Sequence, residues 1–273
     1  DKVSAAGVKN GKTAVVNIDD AAGKVMLEHA KCRHITYAID KNADLRATAI
    51  NVLASGANFT LNNESFGKMP LKLHITGIFN VYNVMSAVGA ALAENIDSAV
   101  IAKVLQEFTS VPGRFELVKA GQDFSIIVDY AHTPDGVENV LKTARKIAKK
   151  KIIAVFGCGG DRDRTKRPIM GRLAAELADV VIATSDNPRS EDPEFILNEV
   201  ESGVKEKIGN KQHEKIVDRR QAIFRAVALA QTDDIVVILG KGHENYQILK
   251  DKTIHFDDKE VAREAVAACK EEK

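Results

Sequence analysis

The sequence has few cysteines and no long apolar run, and each shortage excludes a class of protein. Its 273 residues contain Cys32, Cys158 and Cys269, which are too few and too scattered for a disulfide framework or a cysteine-rich zinc site. We therefore expect a reducing compartment. No apolar run is long enough to cross a bilayer, and the N-terminus lacks a signal-peptide pattern. The formal net charge of +1 gives no argument for binding to nucleic acid or membranes.

The sequence also lacks a complete phosphate loop. The segment from Asn10 to Thr13 reads NGKT, but a P-loop requires glycine five residues before Gly11, where the sequence has Ala6. A P-loop also follows a strand and opens a helix, whereas this segment precedes the predicted strand Thr13–Ile18. We interpret the segment as a turn and reject it as a nucleotide site.

The chain is organised around a strand–helix–strand unit with charged residues at the ends of both strands. The apolar run Lys151–Phe156 predicts a strand buried on both faces, and Val180–Thr184 predicts a second. Glycines and six charged residues follow the first strand, and the sequence Asp186-Asn187-Pro188-Arg189 follows the second. Pro168 suits the first turn of the helix that connects them.

Three charged loops of this kind predict a ligand-binding face. In open α/β sheets, ligands bind beyond the carboxyl ends of the strands. Two arginine-bearing segments there indicate a small anionic ligand, because the planar guanidinium binds carboxylate or phosphate through two hydrogen bonds. The third loop, Gly240–Glu244, follows the predicted strand Asp234–Leu239. Any one of these loops could simply be a solvated surface loop. Three such loops at equivalent strand ends favour a ligand-binding face instead.

Two further segments leave the choice open. Asn80 and Asn83 lie one turn apart at the start of a predicted helix, so their amides could bind a phosphate or a purine edge. Helix capping by Asn80 is an equal alternative. The polar run Asp129–Pro134 follows the predicted strand Ser125–Asp129, and it could contact a ligand or only begin the next helix.

Length and punctuation predict two domains. The chain is long enough for one large domain or two ordinary ones, and the break at Val111-Pro112-Gly113 favours domains at residues 1–111 and 112–273. Strands and helices alternate regularly in the second. This alternation predicts an α/β fold with a mostly parallel sheet that helices cover on both faces.

Taken together, the motifs resemble the Mur ligases of peptidoglycan synthesis. In order along the chain they are NxDD, HxxGxxNxxN, PGRFE, DYAHTPD, FGCGGDRDxxKRP, DNPR and GKGHE. The similarity runs from about Thr13 to the closing helix, and it is greatest to the MurE branch, which adds the third amino acid of the stem peptide. It implies the later part of an α/β central ATPase domain followed by a C-terminal Rossmann-like domain. It also implies that the family's phosphate loop, magnesium-binding residues, carbamylated lysine and N-terminal domain lie upstream.

The resemblance implies two groups of site residues. The ATP group comprises His74, Asn80, Asn83, Arg114, Asp129, Tyr130 and His132. The group for the amino acid, meso-diaminopimelate, comprises Arg162, Asp186, Asn187, Arg189, Gly240 and Glu244. The DNPR turn is the family's signature for this amino acid, whose carboxylates would face the arginines and whose ammonium groups would face Asp186 and Glu244. The sequence identifies no catalytic base and no metal ligand.

The implied reaction is ATP-dependent amide formation in the bacterial cytoplasm. With ATP and Mg²⁺, the D-glutamyl γ-carboxylate of UDP-N-acetylmuramoyl-L-alanyl-D-glutamate becomes an acyl phosphate, which the amine of diaminopimelate attacks. The partners are these small molecules, without nucleic acid or membrane, and the protein is expected to be a monomer. The alternatives are addition of lysine or lanthionine, a ligase like folylpolyglutamate synthase, and a fragment that only binds its amino acid. The DNPR and GKGHE loops argue against the folylpolyglutamate alternative.

Overall fold

The computed structural model describes residues 11–53 and 56–271, which form two compact units. The first extends to Thr109 and the second begins at Ser110. Residues 1–10 include the Ala6 and Asn10 positions of the rejected phosphate loop and lie outside the described residues. Gly11 and Lys12 lead into a strand and not into a helix. Across the described ranges, no helix combines the length and the apolar character needed to cross a membrane.

The first unit is built on a five-stranded sheet whose strands follow chain order. The first three strands run parallel, and the last two are antiparallel to their neighbours. A helix rich in alanine and valine packs across the three parallel strands, and its buried side chains recur at helical spacing. The elements are β1 (Thr13–Asn17), α1 (Ala21–His29), β2 (Arg33–Ala38), β3 (Leu45–Leu53), β4 (Gly56–Asn63), β5 (Gly67–Leu73), α2 (Ile78–Ala93) and α3 (Ser98–Glu107).

Two elements of this unit, α1 and β3, have no clear signature in the sequence. The helix α1 begins at Asp20, whose side chain accepts a hydrogen bond from the Ala22 amide at 2.7 Å. More than half of Val25 and of Met26 is exposed, so no apolar stripe marks this helix. In β3, a bulge between Thr48 and Asn51 breaks the alternation that identifies a strand.

The second unit is built on a six-stranded sheet with the order β10-β9-β8-β11-β7-β6. All strands run parallel except β6, which closes one edge antiparallel to β7. Every residue of β8, β9 and β11 is buried, as the continuous apolar runs predict. The strands are β6 (Glu116–Val118), β7 (Ser125–Asp129), β8 (Ile152–Phe156), β9 (Val180–Ala183), β10 (Gln212–Lys215) and β11 (Ile235–Leu239), followed by a separate hairpin of β12 (Tyr246–Ile248) and β13 (Thr253–His255).

The helices of the second unit cover both faces of its sheet. Three of them pack side by side, and the last two pack together over a core that contains Val155, Ile223 and Val236. The predicted α/β fold with a mostly parallel sheet is therefore confirmed. The helices are α4 (Pro134–Ile147), α5 (Lys166–Leu177), α6 (Pro193–Lys207), α7 (Arg219–Leu229) and α8 (Asp258–Glu271).

The strand β10 occupies Gln212–Lys215, and the apolar pair Ile216–Val217 lies just beyond its end. This strand lies at the edge of the sheet, where its polar side chains meet solvent, and an apolar run therefore does not mark its position.

Candidate functional site

A cavity of about 330 Å³ lies in the second unit beyond the carboxyl ends of β7, β8, β9 and β11. Four segments that are far apart in sequence line it, because parallel strands bring their carboxyl ends to one edge of the sheet. The lining contains all six residues predicted for an amino-acid ligand, together with two of those predicted for ATP: Arg162, Asp186, Asn187, Arg189, Gly240 and Glu244, with Tyr130 and His132.

Asp186 places a buried carboxylate in the cavity wall. Its Oδ1 accepts a hydrogen bond from the Asn187 amide at 2.6 Å, and its carbonyl accepts one from Gln247 Nε2 at 2.7 Å. Gly240 has a φ of 117°, and a Cβ at this position would lie 2.4 Å from Asp186 Oδ2. Glycine is therefore required for the carboxylate to keep its place. Burial raises the pKa of Asp186, while the cations Arg219 and Lys241 act in the opposite direction.

Asn187 and Glu244 form one hydrogen-bonded pair in the wall of the cavity. Asn187 Nδ2 donates to Glu244 Oε2 at 2.9 Å, and the backbone amide of Ile248 donates to Asn187 Oδ1 at 2.9 Å. The hairpin that follows the third charged loop therefore fixes the orientation of the Asn187 amide. This fixed amide in turn holds the Glu244 carboxylate.

Arg189 has an unusual backbone conformation at the end of the DNPR turn. Its φ of 52° lies in the left-handed region, which is unfavourable for residues other than glycine. Its amide donates to the Ile248 carbonyl at 3.1 Å, and its Nη1 donates to the Gly160 carbonyl at 2.8 Å. These bonds hold the guanidinium against the loop that follows β8, where it lines the cavity.

The arginines of the loop after β8 have different partners. Arg167 is buried and bonds Glu199 Oε2 at 2.6 Å and Glu191 Oε1 at 2.8 Å. Arg164 also pairs with Glu199, at 2.5 Å. Arg162 is exposed, lines the cavity and donates to the backbone carbonyl of Asp161 at 2.9 Å. The loop therefore presents Arg162 to the cavity, while Arg164 and Arg167 are paired with acidic side chains.

A cluster of two histidine rings and a guanidinium surrounds Tyr130. The ring centroid of Tyr130 lies 4.6 Å from that of His132 and 5.1 Å from that of His243. The guanidinium carbon of Arg114 lies 5.0 Å from the Tyr130 centroid. Such a surface of planar groups can stack against a flat ligand such as a purine.

Asp129 supports the loops around this cluster. Its Oδ2 accepts a hydrogen bond from the Phe115 amide at 2.7 Å, and its Oδ1 accepts one from the Ala131 amide at 2.8 Å. Burial raises the pKa of Asp129. The carboxylate thus connects the backbone next to Arg114 with the backbone next to Tyr130.

The remaining predicted ATP residues lie in the first unit. His74 is exposed and follows β5, and Asn80 and Asn83 lie in α2. Capping by Asn80 is wrong, because the helix begins after Gly77 and Asn80 Nδ2 donates to the Thr76 carbonyl at 2.8 Å. Asn83 Nδ2 donates to Asn80 Oδ1 at 3.1 Å, so the two amides lie together, as their spacing predicts.

Sequence reasoning missed the charged groups buried behind the cavity. Arg219 and Asp258 form a fully buried ion pair with two contacts of 2.7 Å. Lys241 is also fully buried. Lys241 lies inside the charged loop Gly240–Glu244 and could have been found there. No local pattern connects Arg219 with Asp258, because they are 39 residues apart.

The arrangement of charges suits an amino acid with separated acidic and basic groups. Arg162 and Arg189 offer cations, whereas Asp186 and Glu244 offer carboxylates, within one cavity. Among the described residues, no group of three or more histidine, cysteine, aspartate or glutamate side chains is placed to hold a metal ion.

Comparison with known proteins finds relatives whose similarity extends over most of this chain. The curated UDP-N-acetylmuramoyl-L-alanyl-D-glutamate–2,6-diaminopimelate ligase of Syntrophomonas wolfei is 47% identical over 251 residues, which are 92% of this chain and 51% of that protein. The ligase of the same name from Clostridium botulinum is 46% identical over 262 residues, 94% and 53% of the two chains. A solved structure of a ligase of that name is 38% identical, with a TM-score of 0.67, and the match covers 95% of this chain and 54% of that one.

The chain spans about half the length of these relatives. Two domain families match it, the Mur ligase middle domain over residues 5–91 and the Mur ligase glutamate ligase domain over residues 113–242. These two matches come in chain order and cover most of the sequence. The chain therefore belongs to the Mur ligase family.

Proposed function

We propose that this chain acts in the ATP-dependent addition of meso-2,6-diaminopimelate to UDP-N-acetylmuramoyl-L-alanyl-D-glutamate, in peptidoglycan precursor synthesis. The observation that carries the proposal is the cavity that Arg162, Arg189, Asp186 and Glu244 line together. Diaminopimelate has two carboxylates and two ammonium groups, which match these cations and anions. The names of the relatives at 46–47% identity support the same substrate pair.

The cavity residues select one end of the amino acid. Arg189 and Arg162 bind the carboxylate of that end, and Asp186 and Glu244 bind its ammonium group. Pairing with carboxylates stabilises the charged form of an amine, which is not nucleophilic. The amine at the opposite end is therefore the one that attacks the acyl phosphate formed on the D-glutamyl γ-carboxylate, with release of phosphate.

ATP contacts are proposed for residues of both units. In the second unit, the cluster of Arg114, Tyr130 and His132 can hold a flat base, and Asp129 shapes the adjoining loops. In the first unit, His74 lies near the adjacent amides of Asn80 and Asn83 along the chain, and those amides can bind a purine edge or a phosphate. No cluster in the described residues fits Mg²⁺, so its ligands are not assigned to them.

Calorimetric titration of the chain with meso-diaminopimelate, lanthionine, L-lysine and L-glutamate tests the amino-acid site. We expect diaminopimelate and lanthionine to bind alike, because both carry an amino-carboxylate at each end, and lysine to bind more weakly. Release of ADP coupled to formation of the tripeptide product, measured with the longest natural form of the protein, tests the ligation. Absence of binding by every amino acid would contradict the proposed site.

The same titration separates the alternative ligase functions. A ligase like folylpolyglutamate synthase would favour glutamate, which has two carboxylates and a single ammonium group. Tighter binding of lysine than of diaminopimelate would indicate a lysine-adding ligase. If the longest natural form of the protein bound diaminopimelate but formed no product, the protein would be a binding module and not a ligase.

A further inference from the structure

Lys241 lies behind the wall of the cavity and is fully buried. Its Nζ lies 3.3 Å from Asn187 Oδ1 and 3.3 Å from Glu244 Oε2, and it lies 5.4 Å from the ring centroid of Tyr246. Both of its hydrogen-bonding partners line the cavity. The ammonium group therefore contacts two cavity-lining side chains, although Lys241 itself is not part of the lining.

Carboxylates and cations lie together next to the cavity. Three carboxylates, Asp186, Glu244 and Asp258, share this region with two buried cations, Lys241 and Arg219. The arginines of the cavity lining add further positive charge. Removal of Lys241 would leave the buried carboxylates with one cation fewer, which is costly away from water.

We propose that Lys241 is a positioning residue of the amino-acid site, which holds Glu244 and Asn187 in place and supplies the buried positive charge beside the carboxylates that meet the ligand's ammonium group. The proposal rests on the proposed function only for the choice of diaminopimelate as the ligand. Any ligand that brings a primary ammonium group to Asp186 and Glu244 would depend on Lys241 in the same way. Lys241 itself does not touch the ligand, because Asn187 and Glu244 lie between them.

The physical reason is the effect of a nearby cation on a carboxyl group. Burial raises the pKa of Asp186, and the Lys241 cation is one of the groups that oppose this rise. Without that cation, Asp186 takes up a proton at higher pH, and a neutral carboxyl no longer pairs with an ammonium group. Other groups that interact electrostatically with Asp186 or Glu244 include Arg219, Asp258, Cys158 and Tyr246. The other charged side chains that line the same cavity are Arg162, Asp163, Lys166, Arg167 and Arg189. His132 also lines the cavity, and it remains the same in every variant.

The first test is calorimetric affinity for meso-diaminopimelate between pH 6 and pH 8.5. Lys241→Met should weaken binding more at pH 6 than at pH 8.5, because loss of the cation favours the neutral form of Asp186, which does not pair with an ammonium group. Lys241→Arg, which retains the charge, should restore the original pH dependence. Lys149→Met removes a lysine from an exposed pair with Asp233 and should leave the pH dependence unchanged.

The second test needs no ligand. In the ligand-free chain with carbon-13-labelled aspartate, the carboxyl of Asp186 should titrate at a higher pH in Lys241→Met than in the original protein. Lys241→Gln removes the charge, keeps hydrogen-bonding groups and should give the same shift. It replaces Lys241→Met if the methionine variant does not fold.

The two tests separate failure of this proposal from failure of the proposed function. An unchanged Asp186 titration in the neutral variants, or an unchanged pH dependence of binding, would overturn the role of Lys241 even where diaminopimelate binds well. A shifted Asp186 titration in a chain that binds no diaminopimelate would support the role of Lys241 and contradict the assigned ligand.

Discussion

At the scale of single residues, the position of each charged side chain decides whether it serves the ligand or the fold. Arg189 lines the cavity, and its conformation is fixed by bonds to Ile248 and Gly160. Arg167 lines the same cavity, but two glutamates hold it. Residue type alone does not distinguish these arginines, because each occurs in a charged segment after a buried strand.

Arg189→Ala should reduce affinity for diaminopimelate more than affinity for lysine. The second amino-carboxylate of diaminopimelate loses its cationic partner, at a cost of about 2–5 kcal/mol if the pair is desolvated, whereas lysine has no carboxylate there. Calorimetric titration of both amino acids measures the difference. Equal losses for the two ligands would mean that Arg189 supports the fold or a phosphate site instead.

Protonation of Glu191 should lower the stability of the folded protein in acid. The hydrogen bond from Arg167 is the largest cause that lowers the pKa of Glu191, from 4.5 to about 2. Because the folded state holds the carboxylate in its ionised form, this stabilisation is complete above pH 4.5 and is lost as the pH falls from there towards 2. Urea unfolding at several pH values should show a weaker loss of stability over this range for Glu191→Gln than for the original protein.

Glu206→Gln is the matched control for that experiment. Glu206 pairs with Arg172 at 3.5 Å, and both side chains are largely exposed to solvent. Exposed pairs of this kind contribute little to stability. Glu206→Gln should show the same loss of stability in acid as the original protein. If it changed this loss as much as Glu191→Gln does, the Arg167 contact would not be the cause of the effect.

At the scale of secondary-structure elements, buried polar contacts join loops and helices that are distant in sequence. The loops after β8 and β9 are connected by the bond from the Gly160 amide to the Asn187 carbonyl, at 2.9 Å. The Arg219–Asp258 pair connects the first turns of α7 and α8. Arg219 Nη2 also donates to the Leu239 carbonyl at 3.0 Å, just before the third charged loop. The helices α7 and α8 contribute no side chain to the cavity lining, but they hold in place the segment that leads into the third charged loop.

Asp258→Ala should lower the free energy of unfolding of the second unit by about 3–5 kcal/mol, because Arg219 would remain buried without its partner. Replacing both residues with apolar side chains, as in Arg219→Met with Asp258→Leu, should recover much of this loss. Urea unfolding followed by circular dichroism measures both. Equal destabilisation by the single and the double change would show that the pair is needed for its hydrogen bonds and not for charge balance.

The sequence predicts those elements and site residues that local patterns mark. Continuous apolar runs identify β8, β9 and β11, and glycine-rich charged loops identify the segments that line the cavity. The helix α1 and the bulged strand β3 lack clean periodicity. Contacts such as Arg219 with Asp258, or Asn187 with Glu244, depend on which segments the sheet brings together. Spacing along the chain does not contain that information.

At the scale of the whole molecule, each unit has its own hydrophobic core. One contains Leu61 and Met85, and the other contains Val155 and Ile223. A unit with its own core can fold alone. The predicted boundary at Val111-Pro112-Gly113 lies just beyond the division between Thr109 and Ser110. It remains a prediction that a separate chain can test.

A chain from Gly113 to Lys273 should be soluble, unfold cooperatively and bind diaminopimelate as the longer chain does, because every residue that lines the cavity lies within it. Calorimetry and circular dichroism test this. A chain that starts at Phe124 is the matched control. It lacks β6 and the Phe115 amide from which Asp129 accepts a hydrogen bond. Aggregation of the chain from Gly113, when the longer chain remains soluble, would show that the boundary is misplaced.

The position of β11 in the sheet has a consequence for how the protein is made. This strand is the last of its sheet to be synthesised, yet it lies between β8 and β7 and pairs with both along its full length. Until residue 239 has left the ribosome, β7 and β8 have no partner on these edges, which are open to wrong pairing. Long-range parallel pairing also folds slowly. Nascent chains that end before β11 should therefore need chaperones, and the ligand cavity should form only late in synthesis.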